Sequence, residues 1–120
     1  MITAINYKEK FKQIQEYWTP HIAGELNGQY ILLAKAKGKL VWHSHEGEDE
    51  YFHVFKGQLT IHFRDHSLDL NQGEFCIVPK GTDHLPEAKD EAHIILFEPK
   101  ETAHTGSTQS ELTKTQHPWI

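Results

Sequence analysis

Residues 41–52 read VWHSHEGEDEYF, two histidines two apart, then four acids, then a return to aromatic and β-branched residues. Imidazoles beside a carboxylate are the residue types that hold a divalent transition metal. On an extended strand side chains alternate, so His43 and His45 point to one face with their ring nitrogens close enough to share an ion. The same spacing suits a polar hairpin at the surface, and His-x-His alone leaves both readings open. The continuation favours the metal. Glu50 opens the next run, and a turn through EGED folds its carboxylate back onto the histidine face. Glu46, Glu48 and Asp49 then fall in the turn, where their charges are solvated.

The elements that must carry these residues are short. Asn6 is an N-cap for YKEKFKQIQEYW, in which Tyr7, Phe11, Ile14 and Trp18 recur at spacings of three and four, so one amphipathic helix is predicted there. Pro20, Gly24 and Gly28 break the chain before Tyr30. From Tyr30 onward, alternating runs are separated by turn residues: YILLAKAKG, LVWHSH, YFHVFKG, LTIHFRD, SLDLNQG, FCIVPKG and AHIILFEP. Short strands at this spacing predict an all-β sandwich or barrel, with turns at Lys56-Gly57, Asn71-Gln72-Gly73 and Pro79-Lys80-Gly81. The expected organisation is a helix and linker over residues 1–29, a β domain over 30–99 and a polar tail over 100–120 that packs on the barrel or a partner.

The 120 residues make one domain with one core. Twelve Lys and Arg against seventeen Asp and Glu give a formal charge of -5, with no basic stripe, which argues against nucleic acid and anionic membranes as partners. One cysteine, Cys76, leaves no intrachain disulfide, and residues 1–20 carry no signal-peptide pattern. A soluble cytoplasmic protein is expected. The chain holds ten histidines, of which His53, His62, His66 and His93 read as outward or interface residues. Cys76 reads as a small hydrophobe.

Gly38, His43, His45, Glu50 and Gly57 match the first motif of the cupin family, and GEFCIVPKGTDH matches the second through Gly73, Pro79, Gly81 and His84. From Gly38 to His84 the two motifs span about two fifths of the chain, and their joint spacing is far more specific than either alone. The sequence therefore resembles a small single-domain cupin of the cupin 2 conserved barrel type. It departs from the family pattern in two places: four residues instead of five separate Gly38 from His43, and Ala88 stands where many cupins have asparagine. His104-Thr105-Gly106 is similar to a tail element of small cupins. The resemblance implies an all-β cupin jelly-roll β-barrel with a short N-terminal α-helix. It also implies that His43, His45, Glu50 and His84 converge on one divalent metal. Three imidazoles and a carboxylate suit Fe, Mn, Ni, Cu or Zn over Ca or Mg.

If Glu50 faces inward, so do Phe52 and Val54, while Leu59, Ile61 and Phe63 form the inward stripe of the next strand. Phe52, Val54, Ile61 and Phe63 are thus the expected pocket, a mostly apolar one. Leu40, Trp42, Tyr51, His53 and Phe55 are expected to face outward, too much apolar surface for a monomer, so a homodimer or cover by the helix is expected. Arg64, the single arginine, faces away from Phe63, which disfavours phosphorylated sugars as ligands. The function classes left are a metal-dependent enzyme (dioxygenase, lyase or isomerase) acting on a small organic molecule, and a metal or small-molecule binding module or sensor. Tyr30, His62 and Glu87 are the candidate acids or bases beside the metal.

Overall fold

The computed structural model describes residues 1–100 and 117–120. The described residues form one short helix and seven strands: α1 (Tyr7–Phe11), β1 (His21–Leu26), β2 (Gln29–Lys39), β3 (Glu50–Lys56), β4 (Gln58–Phe63), β5 (Ser67–Asn71), β6 (Phe75–Val78) and β7 (His84–Pro99). All ladders are antiparallel. The central strand is β7. It pairs with β2 along nearly its whole length, and on its other edge with β4 through residues 84–87 and with β3 through 93–95. Strand β6 continues beyond β3, β5 beyond β4 and β1 beyond β2. This is the jelly-roll fold, with a hydrogen-bonded ladder that curls without closing.

Alternation along the strands sorts the apolar residues onto two faces. Leu32, Ala34 and Ala36 of β2, Phe52 and Val54 of β3, Leu59 and Ile61 of β4, and Ile94 and Leu96 of β7 point into the inner core. Leu33 of β2 and Ile95 of β7 point the other way and are covered by Phe11 and Ile14.

The N-terminal segment departs from the sequence-based expectation in two ways. The helix ends at Phe11 instead of continuing to Trp18. Asn6 does cap it, its side chain accepting from the Glu9 N–H at 2.9 Å. Its apolar residues serve both cores: Phe11 and Ile14 pack on the outer face, and Trp18 turns into the inner core. One helix face cannot reach both, so the chain unwinds. Trp18 takes a left-handed backbone (φ 56°) that is costly for a bulky residue. Two bonds hold it there: its N–H donates to the Lys35 carbonyl at 2.8 Å and its indole Nε1 to the Lys37 carbonyl at 2.9 Å. The second departure is β1, which lies where a linker was expected. Gly24 sits beside a register shift in its pairing with β2. On its other side β1 meets the end of the chain, where the Ile120 N–H donates to the Ile22 carbonyl at 3.0 Å. His104-Thr105-Gly106 lies outside the described residues.

Two further expectations are corrected. Leu40 is not outward but buried in the inner core. The run LVWHSH forms no strand, only an isolated bridge between His43 and His84. Of the other expected outward residues, Phe55 is covered by α1, its ring 5.5 Å from Phe11 and 5.7 Å from Tyr7. Tyr51 stacks on Phe97 at 4.9 Å, and its hydroxyl is hydrogen-bonded to His53 Nδ1 at 3.1 Å. Trp42 lies under the Arg64 guanidinium, 3.8 Å from the ring centre.

Candidate metal centre

Lacking a strand, the segment carrying His43 and His45 is fixed by bonds to the segment that precedes β7. The His43 and His84 backbones exchange N–H to carbonyl bonds of 3.0 and 2.9 Å, and the Gly81 N–H donates to the His45 carbonyl at 2.7 Å. The Lys80 N–H donates to Asp49 Oδ1 at 2.9 Å, so Asp49 ties the turn down instead of being merely solvated. Glu50 is the first residue of β3, opposite Val78 of β6. The loop that carries His43 and His45 and the first residues of β3 and β7, far apart in sequence, are thus locked together.

His43, His45, Glu50 and His84 are 2, 4, 3 and 1% exposed. Each offers a ligand atom, and the four atoms lie within 4.8 Å of one another. Second bonds fix two of the rings. His43 Nδ1 donates to the Val41 carbonyl at 2.8 Å and His84 Nδ1 to the Thr82 carbonyl at 2.9 Å, which turns the Nε2 of each ring inward, bare in His43 and facing Glu50 in His84. Glu50 Oε1 lies 2.9 Å from His84 Nε2, 3.1 Å from His45 Nε2 and 3.9 Å from His43 Nε2. Yet His43 Nε2 and both His45 nitrogens are buried with no hydrogen-bond partner. Buried polar atoms are seldom left so, and the Nε2 atoms of His43 and His45, both facing the Glu50 carboxylate, fit a bound cation. Glu48, expected as a solvated turn residue, reaches within 3.4 Å of His45 Nδ1.

The electrostatics point the same way. Burial, only partly offset by the nearby Glu50, pushes His43 down to about 4, so its ring is neutral and able to ligate near neutral pH. Burial opposes charge on Glu50 too, but the close approach of the His45 and His84 rings outweighs it and holds the carboxyl well below the usual carboxylate range. For His45, burial is outweighed by Glu50 and then Glu48, which hold it above its ordinary value. The set is three neutral-capable imidazoles and one carboxylate, a donor set for a divalent transition ion.

Beside the quartet is a narrow, partly open cavity whose walls include Trp18, Leu40, Phe52, Ile94 and Leu96. It leaves about 20 Å³ for the centre of a water molecule, enough for about one. Of the expected pocket residues, Phe52 lines it; Val54 and Ile61 lie in the fully buried core, and Phe63 is half-buried at the end of β4. Neither Tyr30, His62 nor Glu87 lines it. His62 Nε2 donates to Glu87 Oε1 at 2.7 Å, and Tyr30 meets Trp119 edge-on at 5.9 Å. The polar group that sequence reasoning missed is Glu98. It lines the cavity with His43 and Glu50, is 2% exposed, and neither carboxyl oxygen has a hydrogen-bond partner. Burial, then the neighbouring Glu50 charge, raises its carboxyl well above the usual range. The sequence did hold a signal for it: Glu98 is in phase with the inward Ile94 and Leu96.

Comparison with known proteins follows the same outline. The Cupin_2 cupin domain matches residues 30–99. A cupin-2 domain containing protein of known structure from Shewanella frigidimarina NCIMB 400 is 41% identical, with a TM-score of 0.78 over 79% of this chain and 93% of that one. Protein NMB1881 from Neisseria meningitidis is 31% identical, with a TM-score of 0.74 over 81% of this chain and 99% of that one. The uncharacterized protein YdbB of Bacillus subtilis (strain 168) is 33% identical over 73 residues, which are 60% of this chain and 65% of that protein.

Proposed function

The chain belongs to the cupin family, and from that premise we propose that it is a metal-dependent enzyme of the dioxygenase, lyase or isomerase type acting on a small organic molecule. His43, His45, Glu50 and His84 hold the metal in this reading, one of Fe, Mn, Ni, Cu or Zn. The observation that carries the reading is the set of buried imidazole nitrogens left without partners around Glu50. When bound, such an ion supplies Lewis acidity and, if redox-active, reactivity toward dioxygen. The residues of the chain supply the rest. Bonds from Nδ1 of His43 and His84 to backbone carbonyls hold each Nε2 in one orientation. Phe52, Leu40 and Trp18 exclude bulk water from one side of the site.

The small size of the cavity favours a second reading, a metal or small-molecule binding module or sensor without turnover, because a catechol or diketone enters only if a wall moves. The protein is further inferred to be a cytoplasmic homodimer. The exposed Phe75 and Ile77 on edge strand β6 support the dimer.

Elemental analysis of protein expressed in metal-replete medium tests the site. About one transition metal per chain is expected, and none in the double variant His45→Ala, Glu50→Ala. Undiminished metal in that variant overturns the assignment. Oxygen uptake by the metal-loaded protein with a panel of diols and diketones then separates enzyme from binding module.

A further inference from the structure

On β7 the side chains of Ala92, Ile94, Leu96 and Glu98 point inward in turn, and the fourth of these positions holds a carboxyl group where the pattern calls for an apolar residue. Its burial is not incidental to a long side chain snorkelling outward, since both oxygens are inaccessible and meet no donor group of the protein, Glu50 being the one neighbour close enough to accept a bond from it. An unpartnered buried carboxyl costs stability of a kind that folded chains avoid unless something else meets it. What faces it is the cavity it shares with His43 and Glu50, whose free space suits one water or one ligand oxygen and whose remaining walls are apolar.

We propose that Glu98 is a ligand-contacting residue, its carboxyl hydrogen-bonding the oxygen of a water or of a small, otherwise apolar hydroxylated molecule seated between it and the metal quartet. The proposal rests on the metal reading of the quartet. Glu98 does not complete that cluster, whose ligand atoms come from His43, His45, Glu50 and His84; it meets what the cluster leaves open. A ligand larger than one oxygen meets Glu98 only when the apolar wall of Trp18, Leu40 and Phe52 moves to admit its body.

Two variants test it, Glu98→Gln, which keeps shape and hydrogen bonding, and Glu98→Leu, which keeps only bulk. Each is compared with wild type for cobalt bound per chain, for melting temperature without metal, and for the affinity of the cobalt-loaded protein for acetohydroxamate, read from the visible spectrum. The expected result is full cobalt in all three proteins. Acetohydroxamate affinity should stay within about threefold in Glu98→Gln and fall at least about tenfold in Glu98→Leu. The metal-free melting temperature of Glu98→Leu should equal or exceed that of wild type, because an orphaned carboxyl has been removed. Unchanged affinity in Glu98→Leu at full cobalt overturns the role of Glu98 alone. A lower melting temperature in Glu98→Leu with none in Glu98→Gln assigns it a structural bond and also overturns the proposal. A wild type that takes up no cobalt overturns the metal reading, and this proposal with it.

Discussion

Glu50 Oε1 has three imidazole nitrogens within 3.9 Å, and the protein supplies too few hydrogen bonds to satisfy them. Its charge is felt beyond the quartet. Cys76, half-buried opposite Phe52, has its thiol pushed up to about 11, first by burial and then by the Glu50 charge. A thiol with that value is almost wholly protonated at pH 8, and the thiolate is the species that reacts. Iodoacetamide should therefore leave the native protein nearly unlabelled at pH 8, label it faster as the pH approaches 11, and label it at once in urea. Mass spectrometry reads the extent. Rapid native labelling at pH 8 would remove Cys76 from the inert residues. The other histidines show what the quartet is not: His62 bonds to Glu87, His66 to Asp65 and His93 to Glu91, each with a carboxylate partner of its own at 2.7 to 2.8 Å.

At the scale of elements, the tight turn between β3 and β4 is what sets β4 beside β7. Gly57 has φ +89°, and a Cβ there would come within 3.0 Å of the Glu91 carbonyl oxygen and 3.2 Å of Ala92 Cα. Gly57→Ala should therefore combine a left-handed backbone with a clash against rigid main chain, and cost about 2 kcal/mol or more in urea unfolding. Gly73, with φ +86° and open space around it, separates the two contributions. Gly73→Ala should cost only about 1 kcal/mol, the backbone part alone. Equal losses at the two positions would show that the close approach of β7 is not what the turn protects. The strap from Phe11 to Pro20 has no regular structure after α1, yet it closes the inner core with Trp18 and covers the outer face with Ile14.

For the whole molecule, the surface left over decides the assembly. With Leu40 buried and Phe55 covered by α1, the apolar residues that remain on the edge β6 are Phe75 and Ile77, each 58% exposed. Tyr51 lies beside them, its ring 5.1 Å from Phe75. An edge strand with apolar side chains is a surface that a second copy can cover by a two-fold contact. Light scattering at micromolar concentration should give twice the 13.9 kDa chain mass, and Phe75→Lys together with Ile77→Lys should give a monomer that still takes up metal. A wild-type monomer would locate the dimer inference as the error, leaving the metal centre untouched. Among the described residues no helix is long and apolar enough to cross a membrane.

The sequence by itself determined what depends on neighbours along the chain. Alternation and the EGED turn, which act over a few residues, mark His43, His45 and Glu50 as candidate ligands, and the resemblance of the two motifs from Gly38 to Gly57 and from Gly73 to His84 to the cupin pattern adds His84. The sequence also marked strands β2 to β6 and the cap at Asn6. Tertiary structure decided what is summed over distant segments. Whether Leu40 is inside depends on contacts with strands that the local pattern of LVWHSH does not contain. Whether 21–26 is a strand depends on β2 on one side and on Ile120 on the other. His43 and His45 reach the site through bonds to residues 81–84 and not through the strand that alternation implied. Glu98 was the hardest to read. An acid near the end of an apolar run looks like a solvated strand end, and only the walls brought by Trp18, Phe52 and Glu50 turn it into a buried group with nothing to bond. Burial is a property of the folded surface, and local sequence carries it only where the period of the strand happens to persist.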